Sequence, residues 1–341
     1  MINRSIHLEH SGRDAAEAFR TTGLVGGNKG SAMPEDYYHQ KTDRNIGWVT
    51  RQEQELLRSK TVAIAGLGGV GGSHLLTLAR LGIVNFTISD PDRFEPVNFN
   101  RQIGAQDHHV GKRKVDVLAR MAHAVHEDVK INGEPVYVQR NGQRRFNRRS
   151  ISSFARGIDA RNVEQFLAGA DIYVDALDFF AVAARRAVFA TCHRLGIPAV
   201  TAAPLGMGVA LLNFLPGHMS FDEYFGMEGQ SEDEQLRRFY LGLAPAALQS
   251  SYLVDPSTIN LQEHRGPSTP MGCELCAGVA GTQVLKILLG RGEVLAAPEG
   301  LQFDAYLNEF RRTHGPVKAA AASVPSAIVP APTRHGRDFA A

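Results

Sequence analysis

Residues 61–72 read TVAIAGLGGVGG: a strand, a glycine turn and the start of a helix. The β-type run Val62 to Ala65 feeds the turn, and an apolar helical pattern follows through Leu75, Leu76, Leu78 and Ala79. Gly66, Gly68 and Gly71 fit G-x-G-x-x-G, with Gly69 alongside, so a helix N-terminus lies where it can hold phosphate. The next strand, Val84 to Ser89, delivers Asp90, an acid placed to accept a ribose hydroxyl. Alone, this spacing predicts a nucleotide-binding β-α-β unit and suits NAD as well as ATP. The residues that follow separate the two. Asn98, Arg101 and Lys114 add polar and cationic groups that a dinucleotide pyrophosphate does not need. A triphosphate carries about two more negative charges, and dispersing them takes Arg, Lys and a metal. The pattern predicts ATP.

The chain has 341 residues and a net charge of +2, which argues against a protein devoted to coating nucleic acid. Three cysteines make no disulfide framework, so a reducing compartment, the cytoplasm, is expected. The N-terminal MINRSIHLEHSGRD has no apolar core and is not a signal peptide. The uncharged stretch Ile197 to Gly217 is broken by Pro198, Pro204, Gly206 and Gly208, so it reads as two buried strands, not a membrane span.

Strand and helix signals alternate in one series, predicting an α/β fold with a Rossmann-like, mainly parallel sheet flanked by helices and added antiparallel strands. Residues 1–36 form a polar, glycine-rich arm expected to be partly mobile, 37–310 the adenylation domain, and 311–341 an Ala/Pro-rich tail expected to be disordered. Helices are expected at Gln54–Arg58, Gly111–Glu127, from Arg161 to Leu167, Phe179–Leu195 and Cys276–Leu289. Strands are expected at Val129–Val138, Asp171–Asp175, Ile197–Thr201, Val209–Leu215 and Leu301–Tyr306. Within the domain, 216–270 reads as a crossover or substrate segment. The strand IYVD brings Asp175, and just beyond it Asp178, to the sheet end where ligands bind in such folds. Arg140 to Arg149 crowds five arginines into ten residues; it reads either as a solvated connection or as an anion or RNA contact.

The series Gly66, Asp90, Asn98, Arg101-Gln102, Lys114 and Asp178 resembles the ThiF/MoeB/HesA family, relatives of the ubiquitin-activating enzymes, over roughly residues 40 to 310. Members adenylate a carboxylate with Mg·ATP, usually the C-terminus of a ubiquitin-like or sulfur-carrier protein, sometimes a peptide, and in some cases a carboxylate on a tRNA base. The resemblance implies a homodimer with Asp90 on the ribose, Asn98, Arg101 and Lys114 on the phosphates, and Asp178 on Mg²⁺. Asp43-Arg44-Asn45 resembles an element whose arginine reaches the neighbouring subunit's ATP. Simpler readings stand beside these. Asp90 and Asp178 suit a strand-end cap and a helix N-cap, and Arg44 a surface loop. Asp92 and Asp175 are secondary candidates, and Lys112 and Arg113 read as solvated neighbours.

Two departures matter. The family commonly has Asn after the metal-site Asp, where this chain has Phe179. Many members also bind zinc on two C-x-x-C pairs; this chain has one, Cys273-x-x-Cys276, and would need His218, His264 or carboxylates, so zinc is not expected. Cys192 reads as packing. Cys273 is the better candidate acyl carrier, since a helix start lowers a thiol pKa, but a buried Cys273/Cys276 pair is the preferred reading. The rival functions are an NAD-dependent oxidoreductase, a tRNA-modifying relative supported by the arginine cluster, and a scaffold without catalysis. A nucleic-acid partner is allowed but not favoured, and no membrane is expected.

Overall fold

The computed structural model describes residues 37–260, 263 and 265–315. The chain divides between Gln40 and Lys41 into two units, and the candidate site belongs to the second. The short helix α1 (Tyr37–Thr42) lies at the division. The described strands are β1 (Thr61–Ala65), β2 (Asn85–Ser89), β3 (Lys130–Ile131), β4 (Glu134–Pro135), β5 (Tyr137–Arg140), β6 (Gln143–Phe146), β7 (Ile172–Asp175), β8 (Ala199–Leu205), β9 (Gly208–Phe214), β10 (Glu299–Asp304) and β11 (Glu309–His314). Nine form one sheet, in the order β11-β10-β9-β8-β7-β1-β2-β3-β4. From β8 through β3 neighbouring strands pair in parallel. Antiparallel pairs extend both edges: β9, β10 and β11 on one side, the two-residue β4 on the other.

Helices cover both faces: α2 (Arg51–Ser59), α3 (Gly69–Leu81), α4 (Lys114–Val125), α5 (Arg148–Ile151), α6 (Val163–Leu167), α7 (Val182–Leu195), α8 (Phe221–Phe225), α9 (Glu232–Leu243) and α10 (Pro270–Leu289). α3 packs against α4 and α10, while α7 packs against α6, α8 and α9. The alternation of β1 divides these layers. Ala63 and Ala65 join the core with Phe166, Phe189, Phe214 and Phe221, while Val62 and Ile64 are buried on the opposite face. Each fully buried Phe or Ile contributes about 1.5–3 kcal/mol relative to exposure. Local chemistry sets the helix ends. Thr50 and Glu53 form a capping box on α2, Ser220 and Glu223 another on α8, and Gly82 closes α3 in the left-handed conformation. α10 is the described helix long and apolar enough to cross a membrane; it packs instead on α3, β8 and β9.

Three expectations need correction. The strand expected at 129–138 is folded over at Asn132-Gly133, both at positive φ, so β3 and β4 pair as a hairpin. The arginine-rich connection is likewise a hairpin, β5–β6, turning at Asn141-Gly142 with φ of 52° and 71°. Two left-handed residues in a two-residue loop are what joins twisted antiparallel strands. β11 continues to His314, so the sheet runs past the expected domain edge at 310 and into the expected tail. The arm 1–36 and residues 316–341 of that tail lie outside the described residues.

Candidate active site

The glycine turn is compressed between β1 and the loop after β7. A Cβ on Gly66, whose φ is +87°, would overlap the Ala176 carbonyl oxygen, and one on Gly71 would overlap that of Gly66. A Cβ on Gly69 would come within 2.7 Å of Cys273 Sγ and 3.5 Å of the Arg101 stem. Gly66 and Gly71 are glycines because backbone segments meet here, and Gly69 because Cys273 and Arg101 crowd it, which leaves the N-terminus of α3 with Val70 as the one side chain in its first four residues. Such a surface suits a phosphate chain.

Asp90 is buried at the end of β2. Its carboxylate accepts from the backbone N–H of Leu67 and of Asp92, both at 2.7 Å, so it fixes the turn. Burial pushes its pKa up, with Lys114 opposing. Lys114 opens α4, where the helix dipole disfavours a cation. Its Nζ lies 3.0 Å from Asp92 Oδ2, so the chain itself supplies the compensating anion. Asn98 is buried in a short turn, its Oδ1 accepting from Glu95 N–H at 3.0 Å. Arg101 Nη1 donates to Asn100 Oδ1 and to the Val97 carbonyl, and pairs with no carboxylate among the described residues. Beside it, Gln102 is buried next to Gly68 with its Oε1 unpartnered. That acceptor suits a donor on a ribose or a base, not a phosphate oxygen. Lys112 is exposed, and Arg113 is engaged by Asp116 and Ser152.

Asp178 projects from an exposed loop after β7. It is not a helix N-cap, because α7 begins at Val182; its Oδ1 instead accepts from Phe180 N–H at 3.0 Å. The loop is held from behind by Arg185, a residue the sequence reading overlooked. The guanidinium donates to the carbonyls of Leu177, Asp178 and Phe179 at 2.6, 3.2 and 3.4 Å, and to Asp175 Oδ2 at 2.8 Å. Side chains of this pair are 3% and 2% exposed. Asp175 also accepts from the Tyr173 and Thr201 hydroxyls. Phe179 packs 5.3 Å from the Phe239 ring of α9, and Arg185 lies 4.5 Å over that same ring. The aromatic residue in the family's Asn position therefore ties the Asp178 loop to the crossover segment.

The site does not include Arg44. Its turn is fastened to the far end of α3, where Asn45 Nδ2 and Gln54 Nε2 both donate to the Leu81 carbonyl. The thirteen residues of α3 put that end about 18 Å from the glycine turn, beyond an arginine's reach. Arg44 is exposed and, among the described residues, unpaired. Nearby Trp48 is 85% exposed, with its carbonyl held by Arg291. The cysteines agree with the preferred reading of a buried pair. Cys273 and Cys276 are buried on α10, and burial pushes both thiols up, for Cys273 against the Ser268 hydrogen bond and the Arg101 charge. Cys192 is buried in the core. Among the described residues no group of three His, Cys, Asp or Glu is set to hold a metal; His264 lies outside them. One exposed carboxylate is nonetheless enough for Mg²⁺, which takes most of its ligands from phosphate and water.

Known proteins carry related sequences. The ubiquitin-like modifier-activating enzyme 5 of Bombyx mori is 31% identical over 153 residues, 45% of this chain and 35% of that one. The tRNA threonylcarbamoyladenosine dehydratase of Escherichia coli K12 is 28% identical over 177 residues, 52% of this chain and 58% of its own. The chain thus spans about a third to three fifths of these relatives. Escherichia coli MccB, solved with ATP, superposes with a TM-score of 0.53 at 18% identity, covering 77% of this chain and 66% of that one, a likeness of fold. A profile of the ThiF family matches residues 42–323, and with the glycine turn and strand-end acids in place the chain belongs to that family, the ThiF/MoeB/HesA-like ATP-dependent carboxylate-activating enzymes.

Proposed function

We propose that this chain uses Mg·ATP to adenylate a carboxylate borne on a macromolecule, releasing pyrophosphate. One observation carries the reading: the glycine-rich turn, the orphan Gln102 acceptor and the Asp178 loop converge where β1, β2 and β7 end. A carboxylate oxygen attacks the α-phosphorus, forming the acyl phosphate bond as the bond to pyrophosphate breaks. No protein nucleophile is needed, so catalysis is positioning and charge neutralisation. Asp90 holds the ribose, Asn98 and the glycine turn hold phosphate, and Arg101 and Lys114 stabilise the leaving charge. Lys114 reaches phosphate by sharing itself with Asp92 or turning from it. Asp178 would hold Mg²⁺, which when bound supplies Lewis-acid stabilisation of phosphoryl oxygens. Arg44 acts on the partner's site in a cytoplasmic twofold dimer, since its own is out of reach. Family membership leaves the nicotinamide reading without support.

The first substrate reading is the C-terminus of a ubiquitin-like or sulfur-carrier protein, or of a peptide. A second, an RNA-linked carboxylate, is favoured by the exposed arginine hairpin and by the kinship with the dehydratase. The test is exchange of labelled pyrophosphate into ATP with a Gly-Gly-ended carrier protein or with tRNA. Asp178→Ala should lower turnover on the order of a hundredfold while sparing most ATP affinity, because a metal-holding carboxylate counts most in the transition state. Binding of NAD but not ATP at millimolar concentration would sink the proposal.

A further inference from the structure

The β5–β6 ribbon stands outside the main sheet and plays no part in the adenylation site. Arg140, Arg144, Arg145, Arg148 and Arg149 are exposed on it and on α5. Together with Arg120 of α4 they pair with no carboxylate among the described residues, unlike Arg113, held by Asp116. Unpaired guanidinium groups at this density repel one another and remain only where solvent or a bound anion separates them.

The arginines also follow a line. Arg144 contacts His123 near the C-terminal end of α4, and Arg120 stacks 4.0 Å over the Phe146 ring in the middle. Arg113 meets Ser152 at the N-terminal end, 2.7 Å away. One residue on, Lys114 enters the candidate active site. From His123 to Lys114 the helix covers about 14 Å, so basic groups recur along this flank from the ribbon to the nucleotide turn, the last two, Arg113 and Lys114, being paired with Asp116 and Asp92.

Two features identify the partner's chemistry. The planar guanidinium groups of Arg120 and Arg144 lie over Phe146 and Tyr137, 4.0 and 4.7 Å from the ring centroids. Such planes pair with phosphate along their edges and stack with bases on their faces. Second, no large hydrophobic side chain is exposed between residues 111 and 194 among those described. The ribbon therefore lacks the apolar centre that a protein interface uses.

We propose that the β5–β6 ribbon and the adjoining flank of α4 form a docking track for the phosphodiester backbone of a nucleic acid. The track holds whichever carboxylate the enzyme activates, and it is tested without ATP. Fluorescence anisotropy would follow binding of unfractionated tRNA, a single-stranded DNA of equal length and polyglutamate from 50 to 200 mM KCl. We expect nucleic acid to bind with a steep salt dependence. The variant R140Q/R144Q/R145Q should lower the slope of log affinity against log salt by about two to three. The paired variant R311Q/R312Q on the opposite sheet edge should leave it unchanged. Circular dichroism and ATP binding equal to the parent's would show that the triple variant is folded, and would separate failure of the track from failure of the adenylation reading. Preference for tRNA or for DNA identifies the source of the backbone. The track is refuted if neither nucleic acid binds at 50 mM KCl, if the folded triple variant keeps the parent's slope, or if polyglutamate binds tighter than both.

Discussion

Replacing Arg185 with Met tests whether the buried ion pair serves the fold, the site or both. The substitution keeps an unbranched stem over Phe239 but strips four hydrogen bonds: one to Asp175 and three to successive carbonyls of the Asp178 loop. Asp175 would remain buried with two hydroxyl donors and no cation. Breaking such a pair from one side costs about 3–5 kcal/mol. Asp175→Asn in the same background removes the stranded charge, so the double variant should regain half or more of that loss in urea unfolding. Exchange activity should not follow. The loop carbonyls still lack their donor, Asp178 is no longer held in place, and turnover should stay at least about tenfold down, equivalent to 1.4 kcal/mol in the barrier. KM for ATP should move less, because the displaced carboxylate matters most in the transition state. Arg185 would then be a positioning residue. Parental turnover in the double variant, or a single variant destabilised by less than about 1 kcal/mol, would refute the reasoning.

Other outcomes follow from the same geometry. Arg44→Ala and Asp178→Ala should each slow adenylation alone and regain part of the activity when mixed, since random exchange makes about half the dimers hybrid, with one intact site each; no recovery despite proven subunit exchange would remove Arg44 from the partner's site. Cys273→Ser and Cys276→Ser should keep pyrophosphate exchange, because adenylation needs no thiol; loss in a folded variant would contradict this. Burial holds His74 down to about 4, against Asp175, and both ring nitrogens lack partners. A histidine depressed in the folded state gives stability that is complete above its unfolded pKa near 6.5 and lost as pH falls toward 4, on the order of 3 kcal/mol in all. His74→Leu should flatten that part of the urea-midpoint profile, and an unchanged acid sensitivity would assign it elsewhere.

What was legible in the sequence was what repeats locally. The strand–turn–helix at Thr61, the acid ending β2 and the alternation behind the parallel sheet are all short-range patterns, and each stands where expected. The hairpins were missed although Asn132-Gly133 and Asn141-Gly142 carry the strongest short-range signal for them. Around the second, five arginines in ten residues read as a charged connection and mask the alternation of a hairpin. The end of β11 reads as tail because Glu309–His314, an edge strand, is polar and mostly exposed, lacking the apolar face that marks strands further in. Arg185 was out of reach for another reason. Its partners lie ten and fewer residues upstream, but nothing in their spacing shows that they meet until β7 and α7 pack together.

The chain has a single tryptophan, Trp48, four residues beyond Arg44 and almost wholly in water. An indole in that setting emits at the long-wavelength end of its ultraviolet range, and covering it with protein shifts the emission to shorter wavelength without interference from any other tryptophan. Its carbonyl is held by Arg291, so the turn offers the ring from a fixed base. If the Arg44 turn settles against a second subunit, the protein announces its own assembly in its intrinsic emission spectrum, with no label attached.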